Sequence, residues 1–130
     1  MNVVYLTIAQ ILAIHQTVMQ DEGQQAVLIA HDKLESAALR PQAESFGEEF
    51  FPTLAEKAAV LLQGIVIAHP FMDGNKRAGL GAMLMFLRLN GLRQAPDLDE
   101  LYDFVIAVTT GKLRDVNDIA QRVRDLFPGA

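Results

Sequence analysis

Hydrophobic side chains along this chain recur at the three- and four-residue spacing of an amphipathic helix, and this spacing restarts several times. Each restart follows a Thr or Asp that stands three residues before a Glu or Gln, the arrangement that caps a helix N-terminus. The pattern therefore predicts a helix start at four segments: Thr7–Gln10, Asp32–Glu35, Thr53–Glu56 and Asp97–Glu100.

Glycines mark the expected helix ends. Gly91, Gly111 and Gly129 each follow the last apolar residues of a predicted helix, and the first of these helices begins near Asn75. No pair of segments shows a convincing period-two alternation of the kind that marks paired strands. The sequence therefore predicts an all-α fold, a bundle of five to seven helices, with residues 1–130 as a single domain.

Two segments lack the helical spacing. Residues 20–29 form a short break around Asp21-Glu22-Gly23. Residues 40–52 combine two prolines, a glycine and three aromatic residues, which predicts a long loop, and long ordered loops in compact domains are often functional. The aromatic residues of this loop are Phe46, Phe50 and Phe51.

Two predicted helices, Thr53 to Ala68 and Asn75 to Asn90, are apolar around much of their circumference, as expected of helices in the centre of a bundle. The nine residues from His69 to Arg77 join them. This connection is therefore expected to lie at the mouth of the core between two rigid elements, where reactive groups can be held accurately.

Composition narrows the classes of function. Of the 130 residues, 51% are hydrophobic and 21% charged, which is typical of a globular protein and not of a disordered one. The net charge is −5 and the longest basic run is Lys76-Arg77, so a direct nucleic-acid partner is not expected. A cytoplasmic location without membrane contact is expected because the chain has no cysteine, no long apolar run and no signal-peptide pattern at its start.

The connection between the central helices carries the candidate chemistry. The imidazole of His69 can take a proton from an attacking hydroxyl group near neutral pH. Asp73 offers the oxygen ligand that suits Mg²⁺, which usually binds through one or two carboxylates and substrate phosphates. Gly74 permits close backbone approach at the start of the second helix, whose free N–H groups and dipole favour an anion. Asn75 either caps this helix or donates to a phosphate oxygen.

Lys76 and Arg77 add positive charge to the same site, and a guanidinium can grip a phosphate through two hydrogen bonds. Taken singly, a histidine between helices, an Asp-Gly-Asn turn and a solvated Lys-Arg pair are each ordinary structural features. Their combination in one connection favours phosphate or nucleotide transfer, which depends on positioning and charge stabilisation. His15 and His31 are interpreted as incidental, since neither has a paired ligand and a zinc site is not expected.

The run His69-Pro70-Phe71-Met72-Asp73-Gly74-Asn75-Lys76-Arg77 resembles the signature of the Fic/Doc superfamily, and its Lys76 resembles the Doc (death-on-curing) branch. The resemblance continues in the segments Tyr5–Thr7, Leu34–Ala37, Pro52–Ala58 and Phe86–Gly91. It implies a Fic/Doc-type helical bundle.

The resemblance also implies roles for the signature residues. His69 is the general base, Asp73 the Mg²⁺ ligand, and Phe71 a core anchor, while Lys76 and Arg77 join His69 in the catalytic set. The implied phosphate-binding residues are Gly74, Asn75, Lys76 and Arg77. ATP is the implied co-substrate, and the Doc-type activity is transfer of its γ-phosphate to a protein hydroxyl, with translation elongation factor Tu as target and translation inhibited. Lys76 stands where most Fic proteins, which transfer AMP, have glycine, and the resemblance therefore favours phosphate transfer. AMP transfer by the same site and a catalytically silent binding module are the alternatives.

Three further expectations follow from the resemblance. The partner is an antitoxin whose disordered tail folds onto the toxin's helices. Phe46 to Phe51 occupies the place of a flap that aligns the target segment, and an aromatic loop that covers the core is the alternative. The inhibitory Fic motif has its nearest match at Val18 to Gly23, which lacks the hydroxyl residue, so Glu22 is interpreted as part of a chance helix end.

Overall fold

Six α-helices contain most of residues 2–130, the part of the chain that the computed structural model describes. The helices are α1 (Ile8–Asp21), α2 (His31–Leu39), α3 (Leu54–Ala68), α4 (Asn75–Leu89), α5 (Leu98–Thr109) and α6 (Val116–Leu126). This confirms the all-α prediction and the expected number of helices. None of these helices is long and apolar enough to cross a membrane.

Helix α3 lies at the centre of the bundle. It packs against α2, α4, α5 and α6, and most of its side chains are buried. Burying a large aliphatic or aromatic side chain contributes roughly 1.5–3 kcal/mol, so α3 and its neighbours supply much of the stability. Helix α4 approaches α3 closely at Gly79, where an added Cβ atom would lie 2.7 Å from Cγ1 of Val66. The two helices predicted to be central are therefore central, and both ends of the 69–77 loop are held by the core.

The predicted helix starts are confirmed in part. Thr7 forms a full capping box with Gln10, and the Thr53 side chain accepts a hydrogen bond from the backbone N–H of Glu56. Asp97 precedes α5 but its side chain makes no capping hydrogen bond. The prediction for Asp32 was wrong: α2 begins at His31, and Asp32 lies inside its first turn. The residues before it, Ile29 and Ala30, donate their N–H groups to the carbonyl of Pro70 and lie outside the helix.

The segment 40–52 contains more regular structure than the loop that the sequence predicts. A 3₁₀ turn at Arg40–Gln42 is followed by an antiparallel hairpin of β1 (Glu44–Ser45) and β2 (Glu48–Glu49), in which Glu44 faces Glu49. This small sheet is an addition to the predicted helical bundle. Each strand has only two residues and all four are exposed, so no alternating pattern could have revealed them.

Candidate active site

Two residues with left-handed backbone conformation bound the part of the 69–77 loop that lies between α3 and α4. His69 ends α3 with φ 52°, and Gly74 precedes α4 with φ 77°. A left-handed conformation costs a residue with a Cβ atom roughly 1–2 kcal/mol, so His69 needs support from its surroundings. That support comes from Pro70 and Phe71, which follow it directly and are buried. The imidazole of His69 is thereby held at the exposed mouth of the loop.

Asn75 fastens the loop to the start of α4. Its Oδ1 accepts a hydrogen bond from the N–H of Phe71 at 3.0 Å, and its Nδ2 donates to the Phe71 carbonyl at 2.9 Å. The side chain is only 8% exposed. The sequence predicts that Asn75 binds phosphate, but the structure gives its side chain this structural task. Its backbone N–H, in the first turn of α4, is the group that geometry leaves for an anion.

The extended segment that leads into α2 holds the loop from the other side. The N–H groups of Ile29 and Ala30 donate to the Pro70 carbonyl at 2.9 and 3.0 Å, and the N–H of Met72 donates to Val27 at 3.0 Å. Leu28 and Phe71 form an isolated antiparallel bridge. The sequence marks this region only as a break between helices, because no local pattern shows which distant residues its backbone will meet.

His15 on α1 lies directly beneath the loop. Its side chain is 1% exposed, its ring stacks on Phe71 with centroids 3.6 Å apart, and its Nε2 is 2.7 Å from the carbonyl oxygen of Asp73. The interpretation of His15 as incidental was therefore wrong. His31 lies exposed at the start of α2, and its side chain makes no hydrogen bond within the described part of the chain.

A cleft of about 310 Å³ opens above the loop. Every predicted catalytic, phosphate-binding and metal-binding residue lines it, so the structure brings the predicted site together in one place. Three further residues, Glu22, Met72 and Tyr102, also line the cleft and are absent from the predicted site. Tyr102 carries no local signal, because only the packing of α5 brings it to the loop. The predicted set consists of His69, Asp73, Gly74, Asn75, Lys76 and Arg77.

The floor of this cleft favours an anion. Helix geometry leaves the N–H groups of Asn75, Lys76 and Arg77 without intrahelical acceptors, and the helix dipole adds partial positive charge there. Two cationic side chains stand at this same helix end, where they oppose the dipole unless negative charge is bound. The carboxylates of Asp73 and Glu22 line the same cleft and partly offset these two charges.

Arg77 already has an acidic neighbour. Its guanidinium donates to Oε1 of Glu22, and the two side chains are 48% and 35% exposed. The interpretation of Glu22 as part of a helix end is confirmed, since Glu22 is the C-cap of α1 and Gly23 follows with φ 68°, but its side chain also contacts Arg77, which the sequence predicts to bind phosphate. The Glu-Gly pair at the end of α1 was the available signal.

The residues fit a magnesium ion better than a metal held by protein alone. No group of three or more His, Asp or Glu side chains that could hold a metal occurs in the described residues 2–130. Asp73 supplies one exposed carboxylate, whose Oδ1 accepts a hydrogen bond from the N–H of Gly74 at 2.8 Å. One carboxylate beside an anion site is the ligand set that Mg²⁺ uses with substrate phosphates.

The fold and the cleft together define a class of helical protein in which a histidine, a carboxylate and a cationic helix N-terminus line one cleft. The chain belongs to the Fic/DOC family, whose family model matches residues 5–87. The matched region includes α1 to α3, the whole 69–77 loop and most of α4.

Two curated relatives are similar to this chain. It is 31% identical over 121 residues to "Protein kinase doc" of Escherichia phage P1, a match that covers 93% of this chain and 94% of the relative. It is 44% identical over 66 residues to "Toxin Doc" of Mycolicibacterium smegmatis. The chain spans about half the length of the second relative, since that match covers 51% of each protein.

Proposed function

We propose that this chain is a Doc-type toxin that transfers the γ-phosphate of ATP to a hydroxyl group of a protein, with translation elongation factor Tu as the expected target. The observation that carries the proposal is the single cleft in which His69, Asp73, Lys76 and Arg77 surround the N-terminus of α4. Its likeness along 93% of its length to a relative named as a protein kinase supports the choice of phosphate transfer.

The proposed reaction uses groups that already line the cleft. His69, exposed at the mouth of the cleft, takes the proton of the attacking hydroxyl. The hydroxyl oxygen bonds to the γ-phosphorus, the bond between this phosphorus and the β–γ bridging oxygen breaks, and ADP leaves with that oxygen. Lys76, Arg77 and the N–H groups of the α4 N-terminus stabilise the negative charge of the phosphates.

Magnesium is part of this proposal. Asp73 would hold the ion, which would supply positive charge to stabilise the phosphates. The chain's own contribution is to keep the Asp73 carboxylate beside the helix N-terminus, and the contact with the Gly74 N–H serves that purpose.

Glu22 restrains the proposed site. It pairs with the guanidinium of Arg77, so a phosphate that uses Arg77 must displace or share this cation. Both partners are partly exposed, so the pair is worth at most about 1 kcal/mol and a bound triphosphate can displace it. The restraint is therefore mild, and full control of a toxin requires an additional partner.

The expected partner is a cognate antitoxin with a tail that folds on binding. A relative named "Toxin Doc" supports placing this chain in a toxin–antitoxin pair. Expression of the chain alone is expected to arrest bacterial growth, and expression together with its antitoxin is expected to restore it. Normal growth with abundant soluble protein would contradict the toxin assignment.

A transfer assay tests the chemistry. Bacterial lysate, Mg²⁺ and ATP labelled at either the α- or the γ-phosphate are incubated with the protein, and His69→Ala serves as the matched control. Label only from γ-labelled ATP, lost with His69→Ala, is the expected result. Label from α-labelled ATP would mean AMP transfer, and no label from either would favour a binding module without catalytic activity.

A further inference from the structure

His15 is a buried polar side chain that touches the loop and has no part in the chemistry proposed above. Its contact with Asp73 fixes the tautomer, because a carbonyl oxygen can only accept and the 2.7 Å bond therefore requires a proton on Nε2. The ring is 9° from parallel to the buried ring of Phe71, so the imidazole is held in one orientation.

This hydrogen bond determines which way one peptide group faces. The C=O and the N–H of a trans peptide point in opposite directions. The carbonyl of Asp73 points inward to α1, so the N–H of Gly74 in the same peptide points away from α1, where Oδ1 of Asp73 accepts it. Both residues line the cleft, so this N–H stands next to those of the first turn of α4.

The peptide between Asp73 and Gly74 needs such a restraint. Glycine adopts left- and right-handed conformations with similar ease, so the peptide before it can turn over at little cost. The space is also tight, since a Cβ atom on Gly74 would lie 2.7 Å from Sδ of Met19 and 3.4 Å from Nε2 of His15. A side chain at position 74 is thus excluded, and two contacts set the peptide orientation: His15 holds its carbonyl, and Oδ1 of Asp73 accepts its N–H.

We propose that His15 is a positioning residue: by holding the Asp73 carbonyl it turns the Gly74 N–H toward the cleft, where a bound polyphosphate takes this donor over from Oδ1 of Asp73 and so completes its set of amide donors. The proposal rests on the proposed function only in taking that polyphosphate to be the triphosphate of ATP.

The test measures the affinity of inorganic triphosphate by calorimetry, without Mg²⁺ and without transfer. His15→Phe fills the space and can stack on Phe71 but has no donor, whereas His15→Gln keeps an N–H donor. We expect His15→Phe to weaken triphosphate binding roughly tenfold, the loss of about one hydrogen bond to an oriented group, and His15→Gln to stay within about threefold of the unaltered protein. His31→Phe, at the exposed histidine, is the control and leaves the affinity unchanged.

A second readout separates positioning from general loss of structure. The KM for ATP in the transfer assay rises in His15→Phe, while the KM for the protein target stays within about twofold. Equal losses in the Phe and Gln variants, or unchanged triphosphate affinity in folded His15→Phe, would overturn the proposal.

If His15→Phe does not fold, the proposal is tested on the unaltered protein. Triphosphate must shift the amide proton resonance of Gly74, and a resonance that does not move would overturn the positioning role, as would a complete lack of triphosphate binding. If triphosphate binds and moves the Gly74 resonance but ATP yields no phosphate transfer, the proposed function fails and the role of His15 remains supported.

Discussion

The 69–77 loop and the 44–49 hairpin both turn through two residues of positive φ, yet they are held in different ways. The loop has His69 and Gly74 in this conformation, and the hairpin has Phe46 and Gly47. Hydrogen bonds reach the loop from α1, from α4 and from the segment before α2. The hairpin is tied down mainly at its base, and the side chain of Phe46 at its tip is fully exposed.

The buried ammonium group of Lys57 attaches the base of the hairpin to the core. Lys57 on α3 is 0% exposed, and its Nζ donates to Oε1 of Glu49 at 2.9 Å and to the carbonyl of Phe51. Arg40 lies over the ring of Phe51, 5.5 Å from its centroid. The hairpin is therefore attached to the central helix through a few polar contacts, with almost no apolar burial of its own.

The loop and the hairpin are therefore suited to different tasks. A site that stabilises charge must hold its groups rigidly before the substrate arrives, and the multiple contacts to the loop achieve that. A segment that contacts a protein partner can tolerate movement, and the few contacts between the hairpin and the rest of the fold permit such movement. The exposure of Phe46 and Phe50 also rules out the alternative in which these two rings cover the core. The target-aligning flap stays a prediction for them, which the Phe46 substitution below tests.

The largest expected effect comes from placing alanine at the glycine of each turn. Gly74→Ala combines a strained φ with a Cβ atom 2.7 Å from Sδ of Met19 and is expected to lower the free energy of unfolding by about 2–4 kcal/mol. Gly47→Ala has the same strain but no atom within 4 Å, so a loss of about 1 kcal/mol is expected. Urea unfolding measures both. Equal losses would contradict the contrast between the two turns.

Substitution of Lys57 tests the attachment of the hairpin. Lys57→Ala removes buried methylene groups and both hydrogen bonds, and a loss of about 2–4 kcal/mol is expected. Lys57→Met keeps the volume, so a loss of about 1 kcal/mol is expected, mainly from the unpaired carbonyl of Phe51.

In Lys57→Met, amide hydrogen exchange is expected to become faster in residues 44–49 and to stay unchanged in residues 69–77. Triphosphate affinity should equal that of the unaltered protein. A weakened affinity would show that the two regions are coupled through α3 and not independent.

Phe46→Ser tests what the hairpin tip contacts. No loss of stability beyond about 0.5 kcal/mol is expected for so exposed a side chain. If the hairpin aligns the protein target, the KM for that target rises roughly three- to tenfold, the loss of about 1 kcal/mol of contact, while the KM for ATP stays constant. Leu89→Ala, at the opposite end of α4 from the cleft, is the control. An unchanged KM for the target would remove the flap assignment.

Glu22→Gln has the smallest expected effect and concerns the exposed ion pair with Arg77. Loss of the pair with Arg77 should change stability by less than about 0.5 kcal/mol, since both side chains are partly exposed. Triphosphate affinity should rise about two- to fivefold because the freed cation attracts phosphate. Asp21→Asn removes a neighbouring charge without the contact, and an equal rise there would indicate a general charge effect.

Local sequence was enough for the helices and for the location of the site. The caps at Thr7 and Thr53 and the apolar circumference of α3 and α4 are short-range signals, and each is expressed within one helix. The 69–77 loop was predictable because its reactive residues are consecutive, so no distant contact is needed to bring them together.

The tertiary structure alone determined which residues support the site and what each of its side chains contacts. His15 lies 58 residues before Asp73, and Glu22 lies 55 residues before Arg77. Contacts over such distances depend on how α1 packs against the loop, and no pattern within α1 distinguishes a supporting histidine from an incidental one. The side chain of Asn75, predicted either to cap α4 or to donate to a phosphate, fastens the loop for a related reason. Its side-chain amide bonds to whichever groups the folded backbone places within reach, and here these are the N–H and the carbonyl of Phe71.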